Sequence, residues 1–237
     1  MKITFIGTAD GVPRPGRRLS CTMIEAADSF YFIDMGCQVM NRVVECIIPP
    51  EAIRAVFITH MHGDHTAGLF EFTDLYNWYF KGDPLVYLPR EGAGRIMAEW
   101  NTALNHESKT TFGTVREGAF YDDGTLRVSA VPTTHIKDAF AYIVEGEGKR
   151  VFFSGDFNIR DLDAFTAALA DRTPDLLVFE AAHPDPRELR PMIEALGARR
   201  VCFNHVAPYR EAGIAELIGQ LPDVEITVSA DGMELSL

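Results

Sequence analysis

The apolar run IRAVFIT, residues 53–59, leads straight into HMHGDH, residues 60–65. Such a run reads as a buried strand. Three histidines and an aspartate, His60, His62, Asp64 and His65, therefore begin where a strand stops. Imidazoles in these numbers are poor core material and poor turn formers, so the stretch asks for a ligand that rewards nitrogen and oxygen donors, a metal ion first of all.

The rest of the chain alternates strand and helix from end to end, with no low-complexity linker and no short repeat, which predicts one layered α/β domain over residues 1–237. KITFIG, CTMIEA and FYFIDMG read as opening strands, and QVMNRVVECII as a helix stopped by Pro49 and Pro50. After the histidine cluster, TAGLFEFTDLYNWYF has helical spacing, PLVYLP is a short strand and GAGRIMAEWNTAL a helix. Leu69, Phe72, Leu75 and Tyr79 share one apolar face, which assigns Trp78 and Tyr79 to core packing rather than to stacking a base.

The second half continues with TLRVSAVPTTH, the hairpin AFAYIVEGEGKRVFFSGD, the helix DLDAFTAALA and the strand DLLVFEA. A helix near RELRPMIEALG, the strand RRVCFNHV, the helix EAGIAELIGQL and the strands VEITVSA and MELSL complete it. Three further polar residues, His135, Asp156 and His205, stand just after apolar strands, where rigid elements aim side chains into a crevice. His106, in LNHES, has only polar neighbours and reads as a surface loop residue.

Composition narrows the partners. With 22 Lys+Arg against 34 Asp+Glu the net charge is -12, so the long-range field repels polyanions and no extended nucleic-acid surface is expected. Cys21, Cys37, Cys46 and Cys202 lack the paired spacing of a zinc ribbon or a disulfide framework and read as reduced thiols. The start MKITFIGTADG lacks the apolar region of a signal peptide, and no apolar run approaches the roughly 18 residues of a membrane span, so a cytoplasmic protein is expected.

The spacing of the cluster has a chemical meaning. In a tight loop after a strand, His60 and His62 can reach one metal ion while Asp64 and His65 reach a second. Two such ions, typically about 3.5–4 Å apart, can share a water and lower its pKa, creating hydroxide at neutral pH. Each ion needs further ligands, and His135, Asp156 and His205 are of the right types. Zinc suits this donor set, with manganese or iron as alternatives.

The order His-x-His-x-Asp-His, then His135, Asp156 and His205, resembles the metallo-β-lactamase superfamily over nearly the whole chain. The resemblance implies a four-layer αββα sandwich with a dimetal site at one edge. It implies one ion on His60, His62 and His135, the other on Asp64, His65 and His205, and Asp156 bridging them. The opening FIGTADGVPRPGRRLSCTMIE, followed by FYFIDMG, and the segment DLLVFEAAH are similar to the ribonuclease Z and related phosphodiesterase branch, in which dimers are common. In that branch a glutamate at the position of Glu180 orients a catalytic histidine or a ligand.

The chain also departs from ribonuclease Z: it has neither the His-Ser-Thr motif nor a long tRNA-gripping arm, and the segment from Ala181 to Arg200 offers only His183 as a candidate acid. Small or cyclic phosphodiesters are therefore the expected substrates, with hydroxide attacking phosphorus in line. Asp64, Glu180 and His183 are the expected catalytic residues, and Arg14, Arg17 and Arg18 the expected phosphate contacts, since guanidinium matches phosphate oxygens in a fork. The same dimetal centre also suits a lactone, thioester or β-lactam carbonyl, and a non-catalytic metal-binding module would show eroded ligands.

Overall fold

The structure is a computed structural model, and it describes residues 1–80, 83–104 and 109–237. His106 lies outside the described residues. The strands, numbered in chain order, form two sheets of seven each among the described residues. The first contains β1 (Lys2–Gly7), β2 (Cys21–Ala26), β3 (Ser29–Ile33), β4 (Ile53–Phe57), β5 (Leu85–Leu88), β6 (Thr111–Thr114) and β14 (Glu234–Ser236), in the order β14-β1-β2-β3-β4-β5-β6. The second contains β7 (Gly118–Asp122), β8 (Leu126–Thr133), β9 (Ala139–Gly146), β10 (Lys149–Phe153), β11 (Leu176–Ala181), β12 (Arg200–Val206) and β13 (Glu225–Val228), in the order β13-β12-β11-β10-β9-β8-β7.

Three apolar clusters show how the layers stack. Between the sheets lie Phe5, Tyr31, Phe57, Val128, Tyr142, Val151 and Val178. Outside the first sheet, α1 (Met40–Glu45), α3 (Leu69–Trp78) and α4 (Ala93–Ala103) bury Met40, Phe72, Tyr76 and Met97 against Phe32, Val56 and Val86. Outside the second, α5 (Leu162–Leu169), α6 (Arg190–Leu196) and α7 (Glu211–Gln220) bury Phe165, Ile193 and Leu217 against Phe152, Phe179 and Phe203. This is the expected αββα sandwich. Strands covered on both faces need apolar residues at every position rather than at alternate ones, which is why LLVFEA in β11 is buried throughout.

Parallel pairing gathers the strand ends. β3 runs parallel to β4, and β10, β11 and β12 run parallel to one another. β8 is antiparallel to β9, which is antiparallel to β10, so β8 ends on the same side as β10. The residues following β3, β4, β8, β10, β11 and β12 consequently meet at one edge of the sandwich.

The elements depart from the sequence reading in three places. The helix expected over 66–80 is divided into a short α2 (Gly63–Thr66) and α3, because residues 67 and 68 pack their backbone against the loop after β3, with Gly68 N–H donating to Met35 O at 2.8 Å. Trp78 and Tyr79 are 57% and 65% exposed, which corrects their assignment to the core. α3 ends at Trp78, and the buried aromatic position of its last turn is Tyr76. Residues 111–122 contain two strands, β6 and β7, that had no assignment from sequence.

Candidate metal centre

The loop from Thr59 to His65 is fastened before its side chains are considered. Tyr142 Oη donates to Ile58 O, Phe140 N–H donates to Thr59 O at 3.0 Å, and the first bond crosses between the two sheets. Ser20 N–H donates to Asp64 O at 3.1 Å and Met35 N–H to His65 O at 2.8 Å. Gly36 lies so close that a Cβ there would sit 1.7 Å from Asp64 O. Rigid backbone therefore delivers His60, His62, Asp64 and His65 to the sandwich edge.

The side chains fall into two groups that share a wall. His60, His62, His135 and Asp156 bring one donor atom each within 4.8 Å of one another, as do Asp64, His65 and His205. Within the first, His60 Nε2 is 3.0 Å from His62 Nδ1, His135 Nε2 is 3.3 Å from His62 Nδ1, and Asp156 Oδ2 is 3.7 Å from both His60 Nε2 and His135 Nε2. Within the second, Asp64 Oδ2 is 3.3 Å from His65 Nε2 and 3.7 Å from His205 Nε2. Asp156 also faces this second group, with Oδ1 3.5 Å from His65 Nε2 and Oδ2 3.7 Å from His205 Nε2.

His205 reaches the site through an irregularity in its strand. The β11–β12 register pairs Glu180 with Asn204 and Ala181 with Val206, leaving His205 as the extra residue, at φ 53°. Such a bulge re-aims a side chain at the cost of backbone strain. His135 is held by its neighbours: Thr134 donates through N–H and Oγ1 to Asp161 at 2.9 and 2.7 Å, and Thr133 Oγ1 donates to Asp156 O at 2.9 Å.

Electrostatics distinguish the imidazoles. Burial, reinforced by the neighbouring His65, pushes His60 down to about 2, so it is a neutral donor. Burial opposes charge on His65 too, but Asp34 and Asp156 outweigh it and raise its pKa well above the ordinary value. For Asp64, burial pushes the carboxyl up, yet the charges of the nearby His65 and His205 imidazoles hold it at about 2. Asp156 is likewise lowered, its burial outweighed by His65, His205, His60 and His183.

The donor set fits divalent metal ions. His65 Nδ1 is committed to Asp34 Oδ2 at 2.7 Å, while its Nε2 is buried, has no hydrogen-bond partner and faces Asp64 and Asp156. A buried nitrogen left unpaired among converging carboxylates and imidazoles is the arrangement a cation satisfies. Asp34 was missed in the sequence, although it stands directly after an apolar strand in FYFIDMG. It is 4% exposed, lies at φ 58° and also accepts Thr59 N–H at 2.8 Å and Thr59 Oγ1 at 3.0 Å.

Glu180 and His183 adjoin the centre. His183 Nδ1 lies 2.9 Å from Glu180 Oε1 and 3.6 Å from Asp156 Oδ2, and its ring centroid is 4.5 Å from that of His135. With Asp156 these two could make a third donor group. Glu180 is already saturated, however: Oε1 also accepts Phe157 N–H at 3.1 Å, and Oε2 accepts Ala182 and His183 N–H at 2.7 and 2.9 Å. It holds His183 Nδ1 through one of these oxygens, and that hydrogen bond raises the His183 pKa.

The three arginines lie apart from this constellation, lining a surface hollow with Gln38 and Asn41. Arg14 and Arg17 bond backbone to backbone across the turn at Pro15–Gly16, at 3.0 and 2.9 Å. The fork of Arg14 is occupied by Asp10, with three contacts of 2.9–3.1 Å. Among the described residues, Arg17 and Arg18 are the two of the three that form no ion pair. The loop bearing them touches the site at Gly11, where a Cβ would sit 3.3 Å from Asp64 Oδ2.

An αββα sandwich with two histidine-carboxylate groups at the strand ends defines a metallo-β-lactamase fold, and the chain belongs to that superfamily: residues 33–206 match the family described as the beta-lactamase superfamily domain. Within it, the chain is similar to the ribonuclease Z branch. It is 29% identical to ribonuclease BN of Cronobacter sakazakii over 63% of this chain and 51% of that protein. It is 26% identical to ribonuclease Z of Lactobacillus johnsonii over 99% of this chain and 62% of that protein. The chain thus spans about half the length of the first of these relatives. Among solved structures, human tRNase Z, short form, superposes with TM-score 0.79 at 20% identity over 100% of this chain and 99% of that one. A diphosphatase of the PhnP family superposes with TM-score 0.71 at 21% identity over 100% and 97%. At these identities the structural likeness speaks to the fold.

Proposed function

We propose that this protein is a dinuclear metal-dependent hydrolase acting on a small or cyclic phosphodiester. The observation that carries the reading is the position of Asp156, which faces both donor groups and has His183 beside it. His60, His62 and His135 would hold one divalent ion, Asp64, His65 and His205 a second, with Asp156 between them; the donors suit zinc, with manganese or iron as alternatives. When bound, such ions supply positive charge against phosphate oxygens and acidify water.

The chain's own residues supply the rest. Asp34 fixes the orientation of His65, and Glu180 that of His183. A water that has given one proton to solvent bonds through its oxygen to phosphorus while the bond to the leaving oxygen breaks; the leaving oxygen keeps the electron pair and takes a proton from His183 Nε2, the ring nitrogen turned away from Glu180. Arg17 and Arg18 offer guanidinium groups to an anionic substrate in a protein of net charge -12. The same net charge favours a small diester over an RNA gripped along its length.

The test is steady-state hydrolysis of bis(p-nitrophenyl) phosphate by protein loaded with zinc or manganese, beside the Asp64→Ala variant. Metal-dependent turnover that the variant lacks is the expected result. Silence from metal-loaded protein, with hydrolysis of a lactone or thioester instead, would transfer the reading to carbonyl substrates.

A further inference from the structure

His183 is held from a second side, by residues that the reaction described above does not use. Tyr209 and Arg210 follow β12 in HVAPYR, residues 205–210, immediately downstream of His205. Tyr209 Oη donates to Ala182 O at 2.9 Å, and Arg210 Nη2 donates to His183 O at 2.7 Å. The Arg210 guanidinium lies 5.2 Å from the Tyr209 ring centroid, and its Nη1 is 3.6 Å from Asp185 Oδ2. On the opposite side, Glu180 Oε2 accepts the N–H groups of both Ala182 and His183.

All four backbone polar groups of residues 182 and 183 are therefore bonded to side chains, although the segment is neither helix nor strand. Ordinary loops leave much of this work to water. The His183 side chain is 41% exposed, so packing alone does not fix its direction. Two of the four fastenings come from the segment that begins at His205, which ties the backbone carrying the imidazole to the strand end that carries His205.

We propose that Arg210, assisted by Tyr209, is a positioning residue that aims the His183 imidazole at the leaving oxygen. This rests on the reading of His183 as proton donor. The hollow beside it, of about 260 Å³, is lined by Asn158, Ile159, His183, Pro184 and Arg210, with Asp185 and Glu188 at its side. Arg210 does not need to touch substrate for its loss to be felt.

The leaving group separates positioning from plain loop stabilisation. A p-nitrophenolate departs with little help, whereas phenolate gains much more from proton donation. Metal-loaded full-length protein is assayed with bis(p-nitrophenyl) phosphate and with diphenyl phosphate, as wild type, Arg210→Met and Tyr209→Phe. Arg210→Met is expected to lose about ten-fold more kcat/KM on diphenyl phosphate than on the nitrophenyl diester, with Tyr209→Phe shifted the same way by a smaller factor. Tyr209→Phe removes one hydroxyl and decides the matter if Arg210→Met fails to fold.

A second readout needs no turnover. In metal-free protein, the imidazole nitrogen resonance of His183 that reports its bond to Glu180 is expected to move toward the solvent-averaged position in Arg210→Met. Equal losses on the two diesters, no loss on either, or an unmoved resonance would overturn the inference while leaving the phosphodiesterase reading intact. Wild-type protein that hydrolyses neither diester would overturn both.

Discussion

At the scale of single residues, the centre depends on side chains whose second polar atom is already engaged. His65 is the clearest case, with one nitrogen bonded to Asp34 and the other left for the cluster. Asp34→Asn replaces an accepting oxygen by an amide that donates, toward either His65 Nδ1–H or the Thr59 donors. Metal affinity is expected to fall about 10–100-fold, measured by competition with a chromophoric chelator. Asp64→Ala should lower bound metal from two ions toward one per chain and abolish turnover, while far-ultraviolet circular dichroism stays unchanged because the ligand lies on a loop. Two ions retained in that variant would remove Asp64 from the ligand set. His60, His62, Asp64 and His65 were legible because donors at such close spacing have little other use. Asp34, Tyr209 and Arg210 were not, since their partners are 31 residues away in one case and 27 in the others.

At the scale of elements, the site is a meeting of loops held by backbone contact. Gly36 and Gly68 pack against Asp64 O and Cys37 O, where added Cβ atoms would sit 1.7 and 2.0 Å away. Neither glycine has an open neighbour that can give way. Gly36→Ala is expected to cost about 3 kcal/mol of stability, seen as a lower urea midpoint, with weaker metal retention because the displaced neighbour carries Asp64. A helical layer can be tested separately. Phe165 of α5 is fully buried against Phe152 and Phe157, so Phe165→Ala should cost about 3–5 kcal/mol and leave metal content unchanged in the folded fraction.

At the scale of the whole molecule, the two sheets are also linked by partly buried polar contacts. Tyr31 on β3 and Tyr121 on β7 both donate to Asp123 Oδ2 at 2.8 Å. Burial pushes the Asp123 carboxyl up, but hydrogen bonds from Leu126 N–H, both tyrosines and Thr125 N–H outweigh it, and its pKa lies below the usual carboxylate value. A lowered folded-state pKa contributes stability that is present above the unfolded value and is lost as pH falls through the folded one. Wild type should therefore exceed Asp123→Asn in urea midpoint at neutral pH, with the gap narrowing below about pH 4. A gap independent of pH would show that the carboxylate charge plays no part. No helix among the described residues is long and apolar enough to cross a membrane.

The sequence by itself determined the layered α/β class and most of the strands, and it singled out the close-set donors His60, His62, Asp64 and His65, whereas His135, Asp156 and His205 were marked only by their places after apolar strands. Each of these rests on short-range information: apolar runs have a length and a period, and closely spaced donors after a strand have few other uses. It misplaced Tyr79, because periodicity identifies an apolar face without saying where the helix stops, and α3 stops at Trp78; Trp78 itself lies within α3 but off the face that buries Phe72 and Tyr76. Only the tertiary structure decided which strand ends coincide, since that follows from parallel pairing between segments far apart in the chain. It likewise decided that His205 points inward from a bulge, that Asp34 holds His65, and that Glu180, Tyr209 and Arg210 enclose His183. Those outcomes depend on backbone register and on polar atoms finding partners after collapse, which no local pattern records.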